Sequence, residues 1–192
     1  MTNLLIDIGN SSAKVAVSEN RKIIKDFKFI ELDTNKILDI INEYNIQNSA
    51  LSIVSKPNEM LKNILIDNTS FYSFSNEIKI PINFSYKLSD VGDDRLALMV
   101  AAYYDFPNDN VLAIDMGTCI TYDIKTCNNN YKAGGISPGL KMRIKSISDG
   151  AFKLNKIIPS YPESLIASDT KSSLDIGILM GIKSEIEGFI SA

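Results

Sequence analysis

Residues 3–17, NLLIDIGNSSAKVAV, set an apolar run, a polar turn of small residues and the alternating Ala13, Val15 and Val17 in succession, which predicts strand, turn and strand. Residues 23–30 predict a third strand. Residues 34–44 carry Ile37, Leu38, Ile40 and Ile41 at helical spacing, and residues 50–54 read as a short apolar strand. A helix start at 57–63, a strand at 71–74 and an irregular stretch at 76–87, broken by Pro81, follow. Acidic residues open a helix over 93–104, whose Leu96, Leu98, Met99, Val100, Ala101 and Ala102 predict a mostly buried body.

Residues 106–110, with Pro107, form the best candidate boundary. Beyond it VLAIDMGTCITYDIKTC again reads strand, turn, strand. Ile6-Asp7-Ile8-Gly9-Asn10-Ser11 in the first half and Ile114-Asp115-Met116-Gly117-Thr118-Cys119 in the second share one pattern: hydrophobic, Asp, any residue, Gly, two small or polar residues. This repeat predicts two similar α/β lobes, 1–108 and 109–192, facing each other across a cleft. Asp-x-Gly also suits an ordinary hairpin turn, so one copy alone carries little.

Composition narrows the chemistry. The net charge of −3 argues against a sequence-independent nucleic-acid binder, which needs clustered cations. No apolar run approaches the length of about 20 residues that crosses a bilayer, and Asp7 interrupts the early apolar run that a signal peptide would need. With only Cys119 and Cys127 there is no disulfide framework, and the chain reads as cytoplasmic. It contains no histidine, which removes Ser-His-Asp triads and histidine zinc sites and leaves acid-base work to carboxylates, lysine or tyrosine.

In the first turn Gly9 lets backbone approach a ligand, while Asn10, Ser11 and Ser12 add donors, which together make an anion cradle. Asp7 repels phosphate but can hold a hydrated Mg²⁺ that neutralises a polyphosphate. Asp115, Gly117, Thr118 and Thr121 admit the same reading in the second half. Gly92-Asp93-Asp94-Arg95 joins two carboxylates to a fixed cation, as a phosphoryl transfer requires, although acidic residues at a helix start also serve as caps. Ala133-Gly134-Gly135-Ile136-Ser137-Pro138-Gly139 reads as a strand end and a tight turn, its glycines marking either a bend or a close ligand. Lys141, Arg143 and Lys145 beyond it read as a solvated helix face.

Four of these segments, in order, resemble the motifs of type III pantothenate kinases, members of the superfamily of acetate and sugar kinases, Hsp70 and actin. Asp7-Ile8-Gly9-Asn10-Ser11 resembles D-x-G-N-T, Gly92-Asp93-Asp94-Arg95 resembles G-x-D-R, and Asp115-Met116-Gly117-Thr118 resembles D-x-G-T. Ile136-Ser137-Pro138-Gly139 resembles the end of G-G-x-I-x-P-G. The resemblance implies two actin-like, ribonuclease H-like α/β lobes with mixed central sheets in a duplicated fold. It implies ATP-dependent phosphorylation of pantothenate to 4′-phosphopantothenate, the first step of coenzyme A biosynthesis.

By the same resemblance Asp94 is the catalytic base, and Asp7, Ile8, Gly9, Asn10, Ser11, Ser12, Ala13, Lys14 and Thr118 bind ATP. Gly92, Asp93, Asp94, Arg95, Tyr86 and Thr170 line the pantothenate pocket, with Thr170 reaching it across a homodimer interface. Asp115 helps hold a monovalent cation, K⁺ or NH₄⁺, and Asp7 holds Mg²⁺ through water. A kinase or phosphohydrolase of the same fold with another substrate, and a non-catalytic regulatory relative, are the alternative readings.

Some positions depart from the family pattern. Ser85 and Leu88 stand where a tyrosine and a proline are usual, with Tyr86 one place off; Ala133 replaces a glycine; and Asp169 precedes Thr170 where asparagine is common. Members generally continue for some tens of residues past a segment like 174–190, so the second lobe is expected to be truncated at its C-terminal end. Gly177, Gly181 and Gly188 predict a closely packed last helix.

Overall fold

The computed structural model describes residues 1–54, 57–73, 80–84, 87, 90–150 and 158–192. β1 (Thr2–Ile8) and β2 (Ala13–Glu19) pair antiparallel across the first turn, with Asp7 opposite Lys14 and Ile8 opposite Ala13. β3 (Lys22–Phe29) adds antiparallel to β2. On the other side β4 (Asn48–Ile53) runs parallel to β1, and β5 (Ser70–Ser73) parallel to β4, giving the order β3-β2-β1-β4-β5. Parallel neighbours cannot be joined by a tight hairpin. Accordingly α1 (Thr34–Glu43) leads from β3 into β4, and α2 (Glu59–Asn68) joins β4 to β5.

Both helices start where a side chain satisfies an orphan N–H: Asp33 Oδ1 accepts from Asn35 N at 2.9 Å, and Asn58 Oδ1 from Leu61 N at 3.0 Å. Alternation then puts Leu4, Ile6, Val15 and Val17 on one sheet face, where they pack with Ile37, Ile40 and Ile41 of α1 and Leu61 and Leu65 of α2. Each such buried aliphatic contributes about 1.5–3 kcal/mol. This core fixes the sheet whose strand ends carry the first turn.

After the two-residue strand β6 (Asn83–Phe84) comes α3 (Asp93–Asp105). Its buried stripe is narrower than the pattern predicts: Leu96, Met99 and Ala102 are buried, Leu98 and Val100 half-buried, and Ala101 exposed. The chain divides into two compact units, Met1–Ala101 and Ala102–Ala192.

In the second unit β7 (Val111–Met116), β8 (Cys119–Lys125) and β9 (Asn130–Pro138) form an antiparallel meander. α4 (Leu140–Gly150), α5 (Thr170–Asp175), a π-helical turn (Ile176–Met180) and α6 (Gly181–Ser191) follow. Ile120 and Tyr122 of β8 meet Ile182 of α6, with Leu112, Ile114, Ile186 and Phe189 around them. Lys125 is fully buried, its ammonium donating to the Pro107 and Asp109 carbonyls at 3.1 Å, to Thr126 O at 3.3 Å and to Asn129 Oδ1 at 3.2 Å. A buried charge persists only when its donors are satisfied, and here they pin the segment that enters β7. The last helix packs through its apolar residues, Ile182 buried with Ile186 and Phe189 beside it, more than through its glycines: among the described residues nothing lies within 4 Å of a Cβ placed at Gly177 or Gly188, and one at Gly181 would lie 3.9 Å from Arg143 Nη1. No described helix is long and apolar enough to cross a membrane.

Candidate functional site

The first turn joins β1 to β2 through residues 9–12. The Gly9 N–H donates to the Ser12 carbonyl at 3.1 Å, and among the described residues a Cβ on Gly9 would meet only that oxygen, at an ordinary 3.5 Å. Gly9 does not have a positive φ. Among the described residues, neither local backbone nor neighbouring protein demands glycine at this position. Asn10, Ser11 and Lys14 are exposed, while Asp7 is half-buried and its Oδ1 accepts from the buried Ser52 hydroxyl at 3.2 Å. Ala13 is buried against the sheet, a packing residue as well as a turn residue.

Helix α3 begins at the same end of the sheet. The Val54 N–H donates to Ile8 O at 3.1 Å, and a Cβ at Gly92 would lie 3.7 Å from Val54 Cγ1. Asp93 accepts a hydrogen bond from the Ile53 backbone. Residues 7–9, 52–54 and 92–94 thus converge where β1 and β4 end. Gly92 O accepts the Leu96 N–H at 3.0 Å and starts the helix, while Asp94 Oδ1 folds back to accept from Arg95 N at 2.8 Å. A Cβ at Gly92 would stand 2.6 Å from that Asp94 oxygen, so the glycine leaves the carboxylate its space. Burial raises the Asp93 carboxyl above the ordinary range; the Ile53 hydrogen bond opposes this, and the Asp94 charge adds to it.

In the second unit the turn is tighter, with the Gly117 N–H donating to Cys119 O at 2.9 Å. Asp115 is exposed and sits opposite Thr121 in the register, and a Cβ at Gly117 would lie 3.8 Å from Asp115 Oδ2. Thr121 Oγ1 is buried with no hydrogen-bond partner among the described residues. Gly139 packs onto this turn: its N–H donates to Thr118 O at 3.0 Å, and a Cβ would collide with the Gly117 and Thr118 carbonyls.

The glycine pair before it has a packing cause. β9 continues to Pro138, where the sequence suggested that the strand ends earlier, but it bulges at the pair: Gly134 and Gly135 face the one β8 residue between Thr121 and Asp123. A Cβ on Gly134 would meet Tyr122 O at 2.6 Å, and one on Gly135 would meet the Phe189 ring at 2.7 Å. That ring stacks on Tyr122, with centroids 3.8 Å apart and planes 13° from parallel.

Arg143 does not lie on a solvated face. Its Nη2 is 2.5 Å from Glu185 Oε2 and 3.3 Å from Ser137 Oγ, and its Nε donates to Pro138 O at 2.8 Å. Glu185 Oε1 accepts from Tyr122 Oη at 2.7 Å and from the Ser137 hydroxyl. Burial works to raise the Glu185 carboxyl, but the bonds from Ser137, Arg143 and Tyr122 outweigh it and hold it below the usual range. Tyr122 is pushed up to about 12, first by burial and then by the Glu185 carboxylate. Sequence spacing gave no signal for this cluster, because its members lie on β8, β9, α4 and α6.

Thr170 opens α5 and is exposed. Asp169 caps that helix, its Oδ1 accepting from Ser172 N at 2.7 Å and Ser172 Oγ at 2.8 Å, so its carboxylate is already engaged. Tyr86, Ser85 and Leu88 lie outside the described residues.

A family model described as type III pantothenate kinase matches residues 3–192. The type III pantothenate kinase of Christiangramia forsetii is 36% identical over 193 residues, covering 99% of this chain and 79% of the relative. That of Flavobacterium psychrophilum is 35% identical over 194 residues, covering 98% and 80%. A solved structure from Campylobacter jejuni, described as a conserved Baf family transcriptional activator, superposes with a TM-score of 0.61 at 27% identity, covering 96% of this chain and 78% of that one.

Proposed function

The chain belongs to the type III pantothenate kinase family, and we propose from that premise how its residues divide the work of moving the ATP γ-phosphoryl group to the primary hydroxyl of pantothenate. Residues 7–14 hold the ATP phosphates, Gly9 admitting them to the backbone and Asn10, Ser11 and Ser12 donating to them. Thr118 contacts ATP from the second turn. Gly92, Asp93, Asp94 and Arg95, with Tyr86 and Thr170, line the pantothenate pocket, Thr170 reaching it from the second copy of a homodimer. The observation that carries this reading is the convergence of residues 7–9 with 92–94 at one end of a single sheet, which brings a phosphate cradle and a carboxylate together.

Phosphoryl transfer demands positioning and charge stabilisation more than covalent chemistry. Asp94 takes the proton of the pantothenate hydroxyl as that oxygen attacks the γ-phosphorus in line, the bond to the β–γ bridging oxygen breaks and ADP leaves, and Arg95 supplies positive charge beside it. Asp7, steadied by Ser52, would hold Mg²⁺ through water, and the ion would neutralise the polyphosphate. One carboxylate suits that ion, which keeps most of its waters. Asp115 holds K⁺ or NH₄⁺, and the unpartnered Thr121 hydroxyl opposite it is a neutral oxygen of the kind such a cation attracts. The enzyme works in the cytoplasm.

Asp94→Asn is the test. Turnover with pantothenate should fall by about 10²–10⁴-fold while ATP affinity holds. Wild-type turnover by the variant rejects Asp94 as the base.

A further inference from the structure

Between the second turn and the last helix runs an unbroken chain of polar contacts. Glu185 on α6 receives the Tyr122 hydroxyl, the Ser137 hydroxyl and the Arg143 guanidinium. Arg143 in turn spans the corner where β9 becomes α4, with Nε on Pro138 O at 2.8 Å and Nη2 at 3.3 Å from Ser137 Oγ. The next residue, Gly139, donates its N–H to Thr118 O at 3.0 Å and accepts the Arg143 N–H at 3.0 Å. No slack exists at that joint, since even a methyl group at 139 would collide with the Gly117 and Thr118 carbonyls. Whatever moves Pro138 moves Thr118.

The Arg143–Glu185 pair is only partly covered, its side chains 20% and 24% exposed. At that coverage the cost of taking both charges out of water offsets much of their attraction, so a stabilising role does not by itself explain an ion pair with four further hydrogen bonds around it. Its geometry does: a planar guanidinium fork can meet a carbonyl, a hydroxyl and a carboxylate at fixed angles, which an ammonium cannot.

We propose that Arg143 and Glu185 are positioning residues of the kinase reaction, clamping the 137–139 corner so that Thr118 is held at the height the ATP phosphates require. The proposal rests on the reading of Thr118 as an ATP contact. Neither side chain touches substrate; both act through Gly139.

The test uses the full chain and measures KM for ATP and for pantothenate, kcat and thermal melting. The variants are Arg143→Lys, Glu185→Gln, Thr118→Ala and the doubles of each clamp variant with Thr118→Ala. Ser137→Ala, which deletes one hydroxyl from the same corner, is the mild variant that keeps the fold if the others lose it. Each clamp variant should raise KM for ATP about tenfold, leave KM for pantothenate within about twofold, and add little once Thr118 is already alanine. Ser137→Ala should shift KM for ATP in the same direction by less. Equal rises in both KM values, full additivity in the doubles, or an unchanged KM for ATP in the clamp variants and Ser137→Ala overturn the clamp. If Thr118→Ala itself leaves KM for ATP unchanged, the ATP contact is wrong and the proposal falls with it. A raised value in that variant beside unmoved clamp variants condemns the clamp alone.

Discussion

The two Asp-x-Gly turns share a pattern in sequence and differ in how the protein supports them. Around the first, residues 9–12 close on one backbone bond, Gly9 has room for a methyl group, and Asp7 leans on Ser52. Around the second, a two-residue turn is pressed by Gly139, which is fixed in turn by Arg143 and Glu185. A glycine kept where the protein leaves space points to an outside ligand. Gly117, the counterpart of Gly9, also has room, a Cβ there coming no nearer than 3.8 Å to the described residues around it; the glycine that answers to packing is Gly139, which carbonyls crowd. The same letter thus has two causes, and only the surroundings tell them apart.

The sharpest way to break this contrast is to add one methyl group at each place. Gly139→Ala should destabilise the protein by roughly 1–3 kcal/mol, since overpacking against backbone cannot be relieved by a rotamer change, and a thermal melt reads it. Gly9→Ala should change stability by no more than about 0.5 kcal/mol. Its cost appears instead in ATP affinity, measured by titration, which should drop about tenfold or more through lost backbone approach. Equal melting losses in the two variants would erase the distinction.

Acid response gives a smaller effect of opposite sign in the two units. Asp93 has a raised carboxyl, so its favourable contribution is complete below the ordinary aspartate range and is lost as pH rises through the raised value. Asp93→Asn should accordingly melt above wild type near neutral pH, with the gain vanishing in acid. Glu185 is held low, so its contribution is present above the ordinary glutamate range and lost as pH falls through the lowered value. Glu185→Gln should melt below wild type near neutral pH, with the deficit closing in acid. Melting curves of both variants across pH 3–8 check this; parallel trends would contradict it.

The Tyr122 hydroxyl, raised to about 12, makes no difference near neutral pH and acts only in alkali. Its neutral form favours the fold, so stability should decline between about pH 10 and 12, and Tyr122→Phe should flatten that decline in an alkaline melt.

Much of the architecture is legible in local pattern. The strands of the first hairpin, α1, α3 and the β7–β8 hairpin follow from periods of two and 3.6, because a strand or helix shows its buried face within a few residues. The paired turns and the acidic start of α3 are legible for the same reason, and they carried the family resemblance. Arg143 was not: alternating cations at 141, 143 and 145 look solvated, and the carboxylate that removes this one from water is 42 positions away.

By itself, the sequence determined which residues can form each element and which short segments carry the family's motifs, since those properties belong to neighbours along the chain. Tertiary structure alone decided that Gly134 and Gly135 make way for Tyr122 and Phe189, that Ser52 steadies Asp7, and that Arg143 grips Pro138 rather than facing solvent. Steric exclusion and hydrogen bonding act over a few ångströms of space. When the partners stand tens of residues apart, no spacing in the chain records which of them will meet.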